Sequence, residues 1–348
     1  MLYTIFTVII VIFTVFLLAF IIYLNTGAKV PADTDKLINQ ILNTKKEDLK
    51  EFVTGQTGYA KNGNISIWYE VIGAETATKG SLLLVNGLSQ TCLDWQPYIY
   101  EPFIKAGYQV IRFDNRDVGM SDWIDNEEWK QGKKYKLEDM AKDAIAVLDA
   151  LNIDKTHLMG MSMGGMISQR LAISYPDRFM SLTSVMSTGH FDDKSLTQVT
   201  AKFALDMSRY FMRYKDLTKM ENRLKLHLGV QRLLIGKGGY SFDNKTTLEK
   251  AYYELTNRKG YYKHSQPHHG YAIKKSGERY DELKQINIPT LVIHGTDDPL
   301  LLFEHSEKYA PMIPNSTSLF IKGMGHDFPA VNMPEIATAV LANFEKVK

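Results

Sequence analysis

The chain has 348 residues, 45% hydrophobic and 23% charged, the proportions of a globular body large enough to bury a substantial core. Its 41 basic and 39 acidic residues leave a formal net charge of +2 with no long block of one sign, which argues against nucleic acid as a partner. A single cysteine, Cys92, excludes an intrachain disulfide and a cysteine-based zinc site.

The first element is an uncharged run from Leu2 to Leu24. As a helix it spans about 34 Å at 1.5 Å per residue, enough to cross a hydrocarbon core of about 30 Å. A cleaved signal peptide would carry a basic n-region, a shorter apolar stretch and an A-x-A-like site. None of these is clear, so residues 1–25 are expected to be a single-pass transmembrane anchor, with the membrane as a partner. Lys29 and Lys36 just beyond the span favour a cytoplasmic body. In the linker 26–55, Leu37, Ile38, Ile41 and Leu42, then Leu49 and Phe52, share one helical stripe. Asp33 or Thr34 can cap the start of this amphipathic helix. It is expected either to pack on the main body or to lie on the membrane surface.

Thereafter the period changes. Asn62-Gly63 is a type I′ turn signal, predicting a hairpin whose second strand holds Ile65, Trp68 and Val71. Short apolar runs follow at 81–86, 108–113, 157–162, 179–186, 289–294 and 317–322, with helical patterns between several of them. The clearest helix is 137–151, where Met140, Ala144, Val147, Leu148 and Leu151 form a stripe. Apolar strands alternating with helices predict an α/β fold with a mostly parallel sheet covered on both faces. About a hundred residues interrupt this alternation. Too long for a structureless loop, they read as an inserted, mostly helical cap. The expected division is 1–25 anchor, 26–55 linker, 56–190 and 286–348 core, and 191–285 cap.

The chemistry centres on "GMSMG", 160–164, at the end of a predicted strand and the start of a predicted helix. In this GxSxG pattern, side chains at Gly160 and Gly164 would collide with neighbouring backbone, while Ser162 is held clear of the sheet. Free N–H groups at the first helical turn let the Met163 amide donate to a developing oxyanion. A serine nucleophile needs a base and an orienting carboxylate. The loop "HGTDDPLL" offers Asp297 or Asp298, and "KGMGHDFP" after the last strand offers His326. Loops at the carboxyl ends of parallel strands can converge on one point.

The segments "NGLSQTCLDW", "IRFDNRDVGMSD", "GMSMGGMISQ", "PTLVIHGTDDPL" and "GMGHDFP" together resemble the α/β-hydrolase superfamily, and within it the esterase-like branch that includes aclacinomycin methylesterase. The resemblance runs from about Gly58 to the C-terminus. It implies an α/β-hydrolase fold, with Ser162 as nucleophile, His326 as base and Asp298, three residues after Gly295, as the carboxylate that fixes the imidazole tautomer. It also implies a second oxyanion donor, the backbone N–H of Leu88, although this chain has Asn86-Gly87 where relatives carry His-Gly. That departure puts the hydrogen bonding of the loop in question.

Other features receive structural readings. Arg116 and Asp117 are expected to satisfy buried backbone, and His294 to be structural. Met161, Met163 and Met166 can line an adaptable pocket or fill core. His264, His268 and His269 lack a carboxylate or cysteine at ligand spacing and are assigned to the cap rather than to a metal. The expectation is a membrane-tethered serine hydrolase that needs no cofactor and cleaves carboxylic esters, lipid-derived or small and apolar, in a covered and largely apolar pocket. A perhydrolase or lactonase on the same triad, or a ligand-binding receptor or scaffold of the same fold, are the alternatives.

Overall fold

The computed structural model describes residues 2–27 and 29–347. Helix α1 (Leu2–Thr26) projects from the body, and α2 (Thr34–Asn43) packs on it. The strands are β1 (Gln56–Asn62), β2 (Ile65–Ile72), β3 (Gly80–Val85), β4 (Tyr108–Phe113), β5 (Thr156–Met161), β6 (Phe179–Val185), β7 (Thr290–Gly295) and β8 (Ser316–Ile321). They form one sheet in the order β1-β2-β4-β3-β5-β6-β7-β8. The pairs β1/β2 and β2/β4 are antiparallel and all others parallel.

Alternation along each strand explains why both faces are covered. In β3, Leu83 and Val85 point into one core cluster while Leu82 and Leu84 point into another. In β7, Val292 joins the first cluster, and Leu291 and Ile293 the second. The helices on the sheet are α3 (Pro97–Lys105), α5 (Leu137–Ala150), α6 (Met163–Ser174) and α13 (Met333–Phe344), with the short α4 (Asn126–Lys130) and α12 (Glu304–Tyr309) between them in sequence. The stripe Met140, Ala144, Val147 and Leu148 of α5 is buried in the first cluster with Met166, Ile167 and Leu171 of α6. Ile99 and Phe103 of α3 join Ile336 and Val340 of α13 in the second. Each such side chain contributes about 1.5–3 kcal/mol when fully buried, so α6 gives the turn before it a rigid base.

The hairpin differs from its sequence signal. Asn62 pairs with Ile65, which places Gly63 and Asn64 at the corner. Gly63 has φ +57° and Asn64 is not among the residues with positive φ. One positive φ at the first corner position is the type II′ pattern rather than type I′. Register, set by burial of Ile67 on β2, outweighed the Asn-Gly preference.

Between β6 and β7 lie α7 (Ala201–Arg213), α8 (Met220–Leu233), α9 (Asn244–Thr256), α10 (Ser265–Ser276) and α11 (Tyr280–Leu283). Ile38 and Ile41 of α2 are buried with Leu224 and Leu228 of α8 and Leu248 and Ala251 of α9, so the amphipathic stripe is spent on protein. The last two inserted helices pack back on the sheet: Ala272 and Ile273 of α10 and Leu283 of α11 lie in the first core cluster. Within α1, Phe6–Tyr23 has a mean hydropathy of 2.9 and none of it is buried; among the described residues it is the one helix long and apolar enough to cross a membrane.

Candidate active site

Strand β5 stops at Met161 because Ser162 leaves the extended region, with φ +55° and ψ −122°. A non-glycine residue there stores strain of roughly 1–3 kcal/mol. Its surroundings enforce it. A Cβ on Gly160 would land on the carbonyl oxygen of Gly164, and one on Gly164 would land on that of Val85. The Ser162 N–H donates to Val185 O of the neighbouring strand β6 at 2.8 Å, and Ser162 O accepts from Gly165 N at 2.9 Å and from Ser187 Oγ at 2.8 Å. The side chain of Ser162 is thereby fixed at the carboxyl edge of the central strand, at the mouth of α6.

Beside it runs the loop after β3. A Cβ on Gly87 would stand 3.3 Å from Ser162 Cβ and closer still to Gln90 Oε1, so a side chain there would crowd both. Asn86 meets the hydrogen-bonding question directly: its Nδ2 donates to Phe113 O at 2.9 Å, and its own carbonyl accepts from Asn115 Nδ2 at 3.2 Å. Gly87 N–H donates to Gln90 Oε1 at 3.0 Å, and Ser89 N–H to His269 Nδ1 at 3.1 Å. Among the described residues, the N–H groups of Leu88 and Met163 have no acceptor within the protein.

His269 was not singled out by sequence as part of this loop. It is fully buried on α10, and its Nε2–H donates to Arg116 O at 2.8 Å, leaving Nδ1 to accept. Burial pushes its pKa down to about 4, so the ring is neutral. The neighbouring His268 Nδ1 bonds Asp117 Oδ2 at 2.8 Å and its ring stacks on Trp129 at 3.7 Å. Asp117 also accepts from Ile124 N and Tyr135 OH, and Arg116 is paired with Asp143 at 2.6 Å. These are structural partners, as the sequence suggested for that loop.

Of the two aspartates after β7, it is Asp298 whose Oδ2 meets His326 Nδ1, at 2.6 Å. Its Oδ1 accepts from Leu300 N at 2.9 Å and Leu301 N at 2.8 Å. Burial alone would raise its pKa, but the facing His326 and His294 rings hold the carboxyl well below the usual carboxylate range. His294, expected to be structural, touches this carboxylate as well, with Nε2 3.1 Å from Asp298 Oδ2 and Nδ1 2.6 Å from Ser306 Oγ. A histidine ending a buried strand four residues before the carboxylate was the available signal. With Nδ1–H given to Asp298, His326 Nε2 is free to accept. Ser162 Oγ and His326 are not hydrogen-bonded to each other here; such bonds are commonly long before substrate binds.

His326 borders a cleft of about 590 Å³. Met161 and Met186 line its floor, whereas Met163 and Met166 are core residues. The rest of the lining mixes polar side chains, Lys50, Gln90, Asp94, Gln231, Asp243 and Asp327 among them, with apolar ones such as Phe242 and Phe328. Apolar surface makes up the larger part of this lining, and α8, α9 and the segment joining them add amide and charged side chains, Lys250 of α9 being paired with Asp94. Burial pushes Asp327 up to about 6, even though the Gly325 N–H and the His326 ring favour its charged form.

Residues 80–332 match the family described as alpha/beta hydrolase fold. Rhodomycin D methylesterase DnrP of Streptomyces peucetius is 28% identical over 81% of this chain and 96% of its own length. Rhodomycin D methylesterase DauP of Streptomyces sp. (strain C5) is 30% identical over 80% of this chain and 95% of its own. Among solved structures, an esterase from Exiguobacterium antarcticum superimposes with a TM-score of 0.64 at 18% identity, covering 84% of this chain and 100% of that one. A bromoperoxidase from Bacillus anthracis superimposes at 0.65 and 21%, covering 84% and 100%. The sheet order, the turn at Ser162 and the matched profile agree, and the chain belongs to the α/β-hydrolase family as an enzyme of hydrolase type.

Proposed function

We propose that the protein is a serine hydrolase of carboxylic esters, with Ser162, His326 and Asp298 as its catalytic residues. The observation that carries this reading is the combination of a strained serine at the end of β5 with a histidine whose Nδ1 is held 2.6 Å from a buried, ionised aspartate. His326 Nε2 takes the Ser162 proton as Oγ attacks the ester carbonyl. The resulting oxyanion is met by the unpartnered N–H groups of Leu88 and Met163. His326 then protonates the leaving alcohol. Water, deprotonated by the same ring, hydrolyses the acyl-enzyme and frees Ser162. None of these steps calls for a cofactor.

The cleft beside His326 offers apolar side chains together with amide and charged groups, which suits an ester with an apolar part and a polar substituent. Relatives named as methylesterases and a 3-oxoadipate enol-lactonase from Acinetobacter baylyi, 28% identical over 68% of this chain, support ester or lactone carbonyls as the reacting group. Helix α1 serves as a single-pass anchor for a core at 56–190 and 286–348 and an inserted cap at 191–285, and the flanking Lys29 and Lys36 favour a cytoplasmic body.

Labelling of the detergent-solubilised full chain by a fluorophosphonate tests the reading. Wild type should label rapidly, Ser162→Ala not at all, and His326→Ala at a rate lower by several orders of magnitude. A folded wild type that refuses the probe would overturn it.

A further inference from the structure

The end of the apolar span and the cap are held together twice. The guanidinium of Arg209 on α7 lies over the Tyr23 ring, 3.4 Å from its centroid, and Tyr210 OH donates to Lys29 O at 3.3 Å. Independently, only eight steps of chain separate Thr26, the end of α1, from Thr34, the start of α2, a reach of at most about 30 Å. Because α2 is seated on α8 and α9, the inserted helices are the part of the body that must stay near the end of the span.

Helix α7 has three faces. Phe203 and Tyr210 are buried in the cap, and Asp206 and Arg209, paired at 3.0 Å, form the flank toward α1. The third face carries Ala201, Ala204, Ser208, Phe211 and Met212 and is exposed. Its one hydroxyl, Ser208 Oγ, is turned back onto Ala204 O. Phe211 is 46% exposed, Met212 40%, and Leu217 in the following turn 42%. Around these apolar side chains stand Lys202, Arg213, Lys215 and Lys219 with two carboxylates, Asp206 and Asp216, Lys202 being paired with Asp206 at 2.6 Å and Lys219 with Asp216 at 3.6 Å.

We propose that this face docks on the surface of the bilayer that holds α1, with Phe211, Met212 and Leu217 seated at headgroup depth and the cationic rim against anionic phospholipid. This rests on the reading of α1 as a membrane anchor. An exposed apolar strip edged by lysine and arginine is the composition of a helix lying in an interface, and each cation near an anionic leaflet adds to the attraction. The short tether supplies the proximity that such a weak contact needs. Docking orients the body cap-down, and α8 and α9, which supply one wall of the cleft, ride on the same contact.

The test uses the full chain in vesicles of phosphatidylcholine with phosphatidylglycerol, in which the phosphatidylcholine acyl chains are brominated. Tryptophan is introduced by Phe211→Trp or Leu217→Trp, and by Phe13→Trp within the span; the four native tryptophans set the background. The expected result is bromine quenching of all three variants above background, with quenching at 211 and 217 falling when phosphatidylglycerol is replaced by phosphatidylcholine. If Phe13→Trp is quenched while both cap variants keep full emission, the docking proposal is overturned and the anchor stands. Cap variants shielded from both bromine and aqueous iodide would mean that another protein surface covers this face, which also overturns it. An unquenched Phe13→Trp removes the anchor, and the docking with it.

Discussion

The backbone N–H of Ser89 donates to Nδ1 of His269 at 3.1 Å, tying the loop that offers the Leu88 N–H to a helix 180 positions away in sequence. Ser89 itself sits at φ +57°, a conformation that the histidine helps to hold. Replacing His269 by Leu should therefore lower kcat about tenfold or more while leaving KM within a factor of about two, since loss of a whole oxyanion donor costs about 3–4 kcal/mol. His269→Gln, which keeps an acceptor, should recover part of the loss. Steady-state kinetics with a soluble ester and melting temperatures of both variants check this.

Asp298→Asn should keep the fold and reduce kcat by a factor on the order of 10³–10⁴, because the amide favours the wrong imidazole tautomer. The same residue sets an acid limit. Its folded pKa is depressed, so its contribution to stability is present above the unfolded carboxylate value and is lost as pH falls through the folded one. Thermal melts of wild type and Asp298→Asn from pH 7 downward should converge in strong acid. A constant gap would contradict the ionised, paired carboxylate.

Asp327 gives the cleft a charge that changes near pH 6. Above that pH it is ionised, so KM for a cationic ester should fall between about pH 5 and 7, and KM for an anionic ester should rise. Asp327→Asn should flatten both profiles. Measuring KM against pH with neutral, cationic and anionic p-nitrophenyl esters separates this from any change in kcat.

Gly164→Ala would press a methyl group against the Val85 carbonyl. Overpacking of this kind costs about 1–3 kcal/mol. Here it also displaces the loop between β3 and Ser162, so fluorophosphonate labelling should drop more than the urea midpoint does.

What could be read from the residues alone follows the range of the forces involved. Apolar runs located β3 to β7 because both faces of these strands are buried, so the pattern is local; the edge strand β8, exposed along most of its length, carries only the short run Leu319, Phe320 and Ile321. The serine turn was legible because its glycine, serine and glycine fall within five residues, although the Val85 carbonyl that Gly164 must clear lies on β3. The residues of the loop left Asp297 and Asp298 both open, and only the resemblance, through the place three residues after Gly295, preferred Asp298; in the structure it is Asp298 that accepts from Leu300 N and Leu301 N and faces the His326 ring. That Asp94, Asp243 and Asp327 line one cleft could not be read, because they come from segments far apart in the chain, which no periodicity encodes. His269 was hidden for the same reason, and the corner of the hairpin because pairing register overrode a turn preference.

The backbone at Ser162 holds a further consequence. A residue with φ +55° and ψ −122° is at ease only as glycine, so Ser162→Gly should yield an inert protein that melts higher than wild type. Loss of the reacting group and gain of heat resistance in a single substitution would mark this position as one where chemical competence and thermal endurance pull in opposite directions.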